Sequence, residues 1–324
     1  MRFLVTGASG FIGRELCRHL LQLQHHVRAV TSSTVAELRL FASVPMADRL
    51  DVVRVGHEAI SPLDWACACD GVDAVIHLGA RAHVLKETVD GVCSIYRRAN
   101  SEVTLALALA ALESGVQRFI FISSIGVNGA ETSEMPFTPA DAAAPHSPYA
   151  LSKYEAETGL RKLAEQRGLD FVIIRPPMVY GPEAPGNFGS LMRAVQKGWP
   201  LPLGAIHNQR SLVALDNLVD FIITCITHPK AANQTFLISD CQDLSTTELV
   251  RGMAKAAGVP ARLLPVPVWA LEWVGRLVGK GDAIQRLCGN LQIDSNKARN
   301  LLGWTPKISV QEGLRRAMNG NVKK

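Results

Sequence analysis

Short apolar runs alternate along the chain, as far as Arg175, with longer stretches whose apolar residues recur at helical spacing. Arg2–Thr6 (RFLVT) is a continuous apolar run of the kind buried on both faces of a parallel sheet. Ile12, Leu16, Leu20 and Leu23 then fall on one face of a helix predicted over Phe11–Gln22. Further strands are predicted at Val27–Thr31, near Val52–Val55, and at Ala74–Leu78, Phe119–Ser123 and Phe171–Arg175. Helices are predicted over Ser101–Ser114 and Tyr149–Gln166, each stopped by a glycine (Gly115, Gly168) where a helix end favours a left-handed residue. Strand and helix in alternation predict an α/β fold, a doubly wound parallel sheet covered on both faces.

The texture changes after Arg175. Prolines at 176, 177, 182, 185, 200 and 202 break Pro176–Gly204 into loops and short helices. A strand at Thr235–Ser239 is expected to return to the main sheet. A helix follows over Ser245–Ala257, then a proline-rich turn at Pro260–Pro267. The amphipathic stretch Trp269–Gly279 carries Leu271, Val274, Leu277 and Val278. Its only cations nearby are Arg276 and Lys280, too few for a membrane-surface helix, so it is read as packing into the core.

Composition narrows the class. With 48% hydrophobic residues over 324, the chain can bury a sizeable core, which excludes disorder. The net charge of +5 (34 basic, 29 acidic) is spread rather than clustered. It suits a small anionic substrate and gives no nucleic-acid footprint. The pairs Arg97–Arg98 and Arg161–Lys162 read as solvated helix faces. Seven cysteines without CxxC spacing, Cys67-Ala-Cys69 included, indicate thiols in a reducing compartment and no metal site. No leader and no bilayer-length apolar run is seen, so a cytoplasmic protein without an integral membrane segment is expected.

Two constellations carry chemistry. Thr6-Gly7-Ala-Ser9-Gly10-Phe11-Ile12-Gly13 is a GxxGxxG between strand and helix. Gly7 permits the tight turn, Gly10 lets backbone approach a pyrophosphate, and Gly13 lets helix pack on strand, while the helix N-terminus offers N–H groups to the anion. Gly7, Ser9, Gly10, Phe11, Ile12 and Gly13 are therefore candidates for holding a dinucleotide on a Rossmann-type fold. The second is Ser123/Ser124 closing a strand, then Tyr149 and Lys153 four residues apart on one helical face. A phenol beside an ammonium has its pKa drawn down toward the working range of an acid–base group.

In these motifs the chain resembles extended short-chain dehydrogenases/reductases of the nucleotide-sugar epimerase/dehydratase family, over nearly its whole length. His77-Leu78-Gly79-Ala80 stands where that family writes HxAA, Asn100 and Thr104 follow in the next helix, and Arg175-Pro176-Pro-Met-Val-Tyr180-Gly-Pro182 follows the sixth strand. The resemblance implies Ser124, three residues before Val127-Asn-Gly129, as the catalytic serine with Tyr149 and Lys153. It implies Leu78, Gly79, Ala80 and Pro176 on the cofactor, and Asn187 and Arg210 on a nucleotide diphosphate. Asp216-Asn217 and Leu302-Gly-Trp304-Thr-Pro306 are similar to its later structural signatures. Leu201–Leu218 and Phe236–Leu249 resemble bacterial UDP-N-acetylquinovosamine/UDP-N-acetylfucosamine 4-reductases of O-antigen assembly.

A 4,6-dehydratase of that family places an Asp–Glu pair beside the serine, where this chain has Ile125-Gly126. NAD binders generally end the second strand with an acidic residue, where this chain has Thr31, Ser32 and Ser33 with Arg28 upstream. That favours NADPH, with NADH as the second choice, and hence net reduction of a UDP-2-acetamido-2,6-dideoxy-hexos-4-ulose. The alternatives are a UDP-HexNAc 4-epimerase with bound NAD and a dinucleotide-binding regulator without turnover. His57 stands after Gly56 where the family has an adenine-contacting Asp, and Gly126 replaces a larger side chain, expected to widen the sugar pocket. His77 and His83 read as structural or pocket-lining, and His207 receives no role. The domain reading is a cofactor unit over 1–180, with a return strand near 234–240, and a mainly sugar-binding lobe over 181–324. By analogy a homodimer would form through the Ser101–Ser114 and Tyr149–Gln166 helices.

Overall fold

The computed structural model describes residues 1–31, 47–55, 62–81, 89–277, 279 and 281–320. Ser32, Ser33, Gly56, His57, His83, Val278 and Lys280, named above, lie outside the described residues.

Seven parallel strands form the main sheet: β1 (Arg2–Thr6), β2 (His26–Thr31), β3 (Leu50–Arg54), β4 (Ala74–His77), β5 (Arg118–Ile122), β6 (Phe171–Arg175) and β9 (Gln234–Leu237). Their spatial order is β3-β2-β1-β4-β5-β6-β9, so the chain reverses its direction of winding between β1 and β4. The return strand is therefore found in the sheet, paired with β6 from Val172↔Gln234 to Arg175↔Leu237. Alternation within β1 divides the core. Phe3 and Val5 pack with Leu16, Leu20 and the helix Leu215–Thr227 on one face. Leu4 packs on the other with Leu107, Ala111, Ala156 and Leu160.

Where the sequence reading gave one helix over Ser101–Ser114, the chain runs helical from Val89–Tyr96 through a π turn, Arg97–Glu102, into Val103–Glu113. The polar run RRANSE breaks the apolar period, which hid this continuity. Gly115 and Gly168 do adopt left-handed backbone, with φ of 73° and 76°.

Pro176–Gly204 is more ordered than its prolines suggest. β7 (Met178–Tyr180) pairs in parallel with β8 (Leu212–Ala214), and Gly186–Gln196 forms an 11-residue helix. Tyr180, Phe188, Met192, Leu249, Met253 and Leu314 build a separate core beneath this region. Asn217 ties the elements together: its amide donates to Asp240 Oδ1 (2.7 Å) and the Ile308 carbonyl (3.0 Å), and its oxygen accepts from Lys307 N. Trp304 donates to Asp220 Oδ2 at 2.7 Å.

Two surface readings are corrected. The helix Val268–Leu277 buries Leu271 and Gly275 but leaves Trp269, Trp273, Val274 and Leu277 exposed, so core packing accounts for only one of its sides. Arg161 is not merely a solvated helix residue, because its guanidinium reaches buried Glu157 (3.3 Å) and Thr235 Oγ1 of β9 (2.9 Å). Among the described residues no helix is long and apolar enough to cross a membrane.

Candidate active site

The glycine turn lies at the carboxyl ends of β1 and β4, where the sheet's winding reverses and α/β folds open a crevice. Gly7 has φ of +67°, and a Cβ on it would lie 2.8 Å from Gly79 N. A Cβ on Gly13 would be driven into the Gly7 carbonyl oxygen. The helix Phe11–Gln22 starts from Gly10 with no side chain capping it, so its first N–H groups face the crevice. Ser9 and Thr31 are brought together, Thr31 Oγ1 donating to Ser9 Oγ at 2.8 Å. Arg28 is not: its guanidinium donates to the carbonyls of Ala68 (2.8 Å) and Asp70 (2.9 Å), so it supplies no charge to a ribose phosphate at Thr31. This cradle, in which a Cβ on Gly7 or Gly13 would clash and the helix's first turn has no side-chain cap, fits a dinucleotide pyrophosphate. Gly7, Ser9, Gly10, Phe11, Ile12 and Gly13 run from the end of β1 into the helix, Thr31 ends β2 beside Ser9, and Leu78, Gly79 and Ala80 follow β4, with Gly79 against Gly7.

His77 fastens the two strands beneath. Thr104 Oγ1 donates to the Asn100 carbonyl (2.5 Å), so it accepts from His77 Nε2 (2.9 Å), and His77 Nδ1 accepts from Thr6 Oγ1 (2.6 Å). Burial, with the Lys153 charge a lesser cause, pushes this imidazole down to about 3. It is a neutral structural residue.

Asn100, in the π turn, performs a similar task toward the helix Pro148–Arg167. Its oxygen accepts from Arg81 N (2.8 Å), and its amide donates to Arg81 O (3.0 Å) and Ser152 Oγ (3.0 Å). π turns often mark functional sites, because the extra residue re-aims a side chain. Here the turn aims Asn100 between the loop after β4 and the helix that carries Tyr149 and Lys153.

That helix, Pro148–Arg167, is capped by Ser147, whose hydroxyl accepts from Ala150 N. Tyr149, Lys153 and Glu157 stand at successive four-residue steps and form one spine along the end of β5. Lys153 Nζ donates to the Ile122 carbonyl at 2.9 Å and lies 4.5 Å from the Phe121 ring centroid. Burial brings its amine down to about 7, against the opposing pull of Glu157. Glu157 accepts from Ser123 Oγ (2.6 Å) and from Arg175 at Nε (2.9 Å) and Nη2 (2.5 Å). Tyr149 meets Tyr96 edge-on at 6.1 Å. Burial pushes its phenol up to about 12, with Tyr96 adding to the rise. This runs against the expected downward shift: the Lys153 amine serves the Ile122 carbonyl, and burial keeps the phenol protonated.

Ser124 begins a short 3-10 turn, Ile125–Val127, and its hydroxyl accepts from Gly126 N at 3.1 Å. Ile125 N donates to Pro176 O (3.1 Å), which moors this turn to the residue after β6. A Cβ on Gly126 would meet His146 Cε1 at 3.1 Å, Ala150 Cβ at 3.3 Å and Ser124 Oγ at 3.4 Å. The missing side chain therefore does not widen the pocket, because the His146 imidazole fills its place. Nothing in the local sequence pattern of His146 ties it to Gly126, twenty residues earlier. The same contacts set the Ser124 turn against the helix's first turn at Ala150. Asn187 and Arg210 sit on separate elements. Asn187 is exposed in the first turn of Gly186–Gln196, and Arg210 donates to the Gly289 carbonyl at 2.9 Å.

The chain matches the model of the NAD dependent epimerase/dehydratase family over residues 3–239. It belongs to that family. A Vibrio cholerae protein named UDP-glucose 4-epimerase is 44% identical over 314 residues, 96% of this chain and 93% of the relative. An Escherichia coli O157:H7 protein named N-acetyl-alpha-D-glucosaminyl-diphospho-ditrans,octacis-undecaprenol 4-epimerase is 27% identical, covering 97% of this chain and 93% of its own. Among solved structures, UDP-glucuronic acid 4-epimerase from Bacillus cereus in complex with NAD superposes with a TM-score of 0.79, covering 99% of this chain and 96% of that one. At 24% identity that likeness speaks for the fold alone. The fold and family expected from the sequence thus stand, and both of these relatives are named epimerases, not reductases.

Proposed function

We propose that the chain moves hydride to and from C4 of a UDP-linked hexose or hexosamine. The observation that carries this reading is that the helix bearing Tyr149 and Lys153 packs its first turn, at Ala150, against the Ser124 turn while Lys153 reaches the end of β5. The nicotinamide cofactor, when bound, supplies the hydride acceptor and donor. Tyr149 exchanges the proton of the C4 hydroxyl, Ser124 hydrogen-bonds that oxygen, and Lys153 holds the nicotinamide ribose. Pro176 closes the cofactor side through its hold on the Ser124 turn. Asn187 and Arg210 take the diphosphate, with Arg210 offering the donors that Gly289 leaves free.

The 44% identical relative favours 4-epimerisation on a retained NAD, in which the hydride removed from C4 returns to the opposite face. A second reading, net reduction of a UDP-2-acetamido-2,6-dideoxy-hexos-4-ulose with NADPH, is supported by two observations. Thr31 and Ser9 pair through hydroxyls at the end of β2, and the phenol is held neutral as a proton donor. One experiment separates the readings: purified chain is given UDP-glucose or UDP-N-acetylglucosamine with NAD, and in parallel the 4-keto-6-deoxy sugar with NADPH. Appearance of the galacto epimer supports the first, and loss of absorbance at ~340 nm, the reduced nicotinamide band, supports the second. Silence in both overturns C4 hydride transfer.

A further inference from the structure

We propose that the helix Val268–Leu277, with the loop before it, is a docking face for an anionic lipid bilayer surface. Three of the chain's five tryptophans are exposed, Trp199 (57%), Trp269 (72%) and Trp273 (64%), and all three lie in this region. The segments that carry them are joined: Leu201 N donates to Arg262 O and Leu264 N to Leu201 O, both at 2.8 Å, and Leu264 leads through Pro265 and Pro267 into the helix.

The helix has two apolar sides. Leu271 and Gly275, four residues apart, face the protein. Trp269, Trp273 and Leu277, also at four-residue steps, form a second spine, with Val274 beside it, and all four are exposed. Soluble surfaces scatter large apolar residues singly, whereas tryptophan gathers at the water–hydrocarbon boundary, where its ring is buried and its N–H stays wet.

Charge chooses the occupant. Arg276 and Lys280 are too few for an anionic surface by themselves, but residues 251–288 together contain six basic residues (Arg251, Lys255, Arg262, Arg276, Lys280, Arg286) against two acidic ones (Glu272, Asp282), a net +4 in a chain of net +5. Arg276 on the helix, Arg262 in the loop before it and Arg286 in the helix after it are exposed, and Lys197 stands 5.2 Å over the Trp199 ring. A second copy would bring like charge against like across a two-fold interface. An anionic lipid surface satisfies both the cations and the exposed indoles.

The test is co-sedimentation of the full chain with vesicles of phosphatidylglycerol and phosphatidylcholine, and with phosphatidylcholine alone, beside the variant Trp269→Ser/Trp273→Ser. Both tryptophans are exposed and lie outside the proposed active site, so the variant is expected to keep its thermal midpoint. The proposal expects binding to the anionic vesicles with a blue-shifted tryptophan emission. It also expects binding at least about tenfold weaker in the variant, on neutral vesicles and at high salt. No binding to anionic vesicles, or equal binding by the variant, overturns it. A wild-type dimer that becomes monomeric in the variant, without vesicle binding, also overturns it and makes the face an interface between copies.

Discussion

Arg175 and Glu157 meet as a doubly bonded ion pair in the protein interior, 3% and 0% exposed. The pair joins the end of β6 to the helix that bears Tyr149 and Lys153. Ser123 and Asn128 complete it, Ser123 donating to Glu157 and Asn128 accepting from Arg175 at 2.8 Å.

Breaking such a pair leaves a buried charge without its counter-ion. Arg175→Met should therefore cost about 3–5 kcal/mol of folding stability, read by urea denaturation. A loss below about 1 kcal/mol, the level of a surface pair, would show that the charges are solvated.

Asn100→Leu removes both bonds to Arg81 and the bond to Ser152 while keeping the bulk. We expect a loss of about 1–3 kcal/mol from the unpaired backbone groups, with a fall in turnover as the catalytic helix loses its tie. Unchanged stability and turnover would make the π turn incidental.

The sheet was legible because β1, β4, β5 and β6 are continuous apolar runs, which only a two-sided burial explains. The glycine turn was legible because Gly7 answers to its own left-handed backbone and Gly13 to sterics within a few residues of itself. What escaped depends on partners distant in the chain. Asn100 acquires its task from Arg81 and Ser152, and Glu157 from Arg175. His146 acquires its place from the side chain that Gly126 lacks. The downward shift expected for Tyr149 failed for a similar reason: spacing put Lys153 on the right face, but Ile122 of β5 claims its amine. Trp269 and Trp273 repeat at helical spacing, as core residues do, and only the fold shows that this spine faces outward.

Gly13→Ala would push a methyl group into the Gly7 carbonyl and displace the turn. Overpacking of this kind typically costs about 1–3 kcal/mol, and cofactor affinity should fall by more than about tenfold, measured by quenching of protein fluorescence. Wild-type affinity would separate the turn from cofactor binding.

His77 has its imidazole at about 3 in the folded chain, below its unfolded value of about 6.5. Between these values the unfolded state binds one more proton, so stability rises with pH through this window and is lost as pH falls from 6.5 toward 3. Wild type should lose up to about 1.4 kcal/mol per pH unit more than His77→Gln over that range. Parallel pH dependence of the two proteins would show that His77 is charged when folded.

The phenol of Tyr149, at about 12, should stay protonated through the physiological range in the unliganded chain. The difference in phenolate absorbance between wild type and Tyr149→Phe should be flat from about pH 7 to 10, below the raised value. A phenolate appearing within that range would restore the Lys153-driven shift.

Chemistry at C4 is tested most directly by NMR of the UDP-sugar incubated with cofactor and either wild type or Tyr149→Phe. Wild type should invert or reduce C4, and Tyr149→Phe should be slower by about 10²–10⁴-fold while still binding cofactor. A C4 left untouched by wild type, or turned over as fast by the variant, would contradict it.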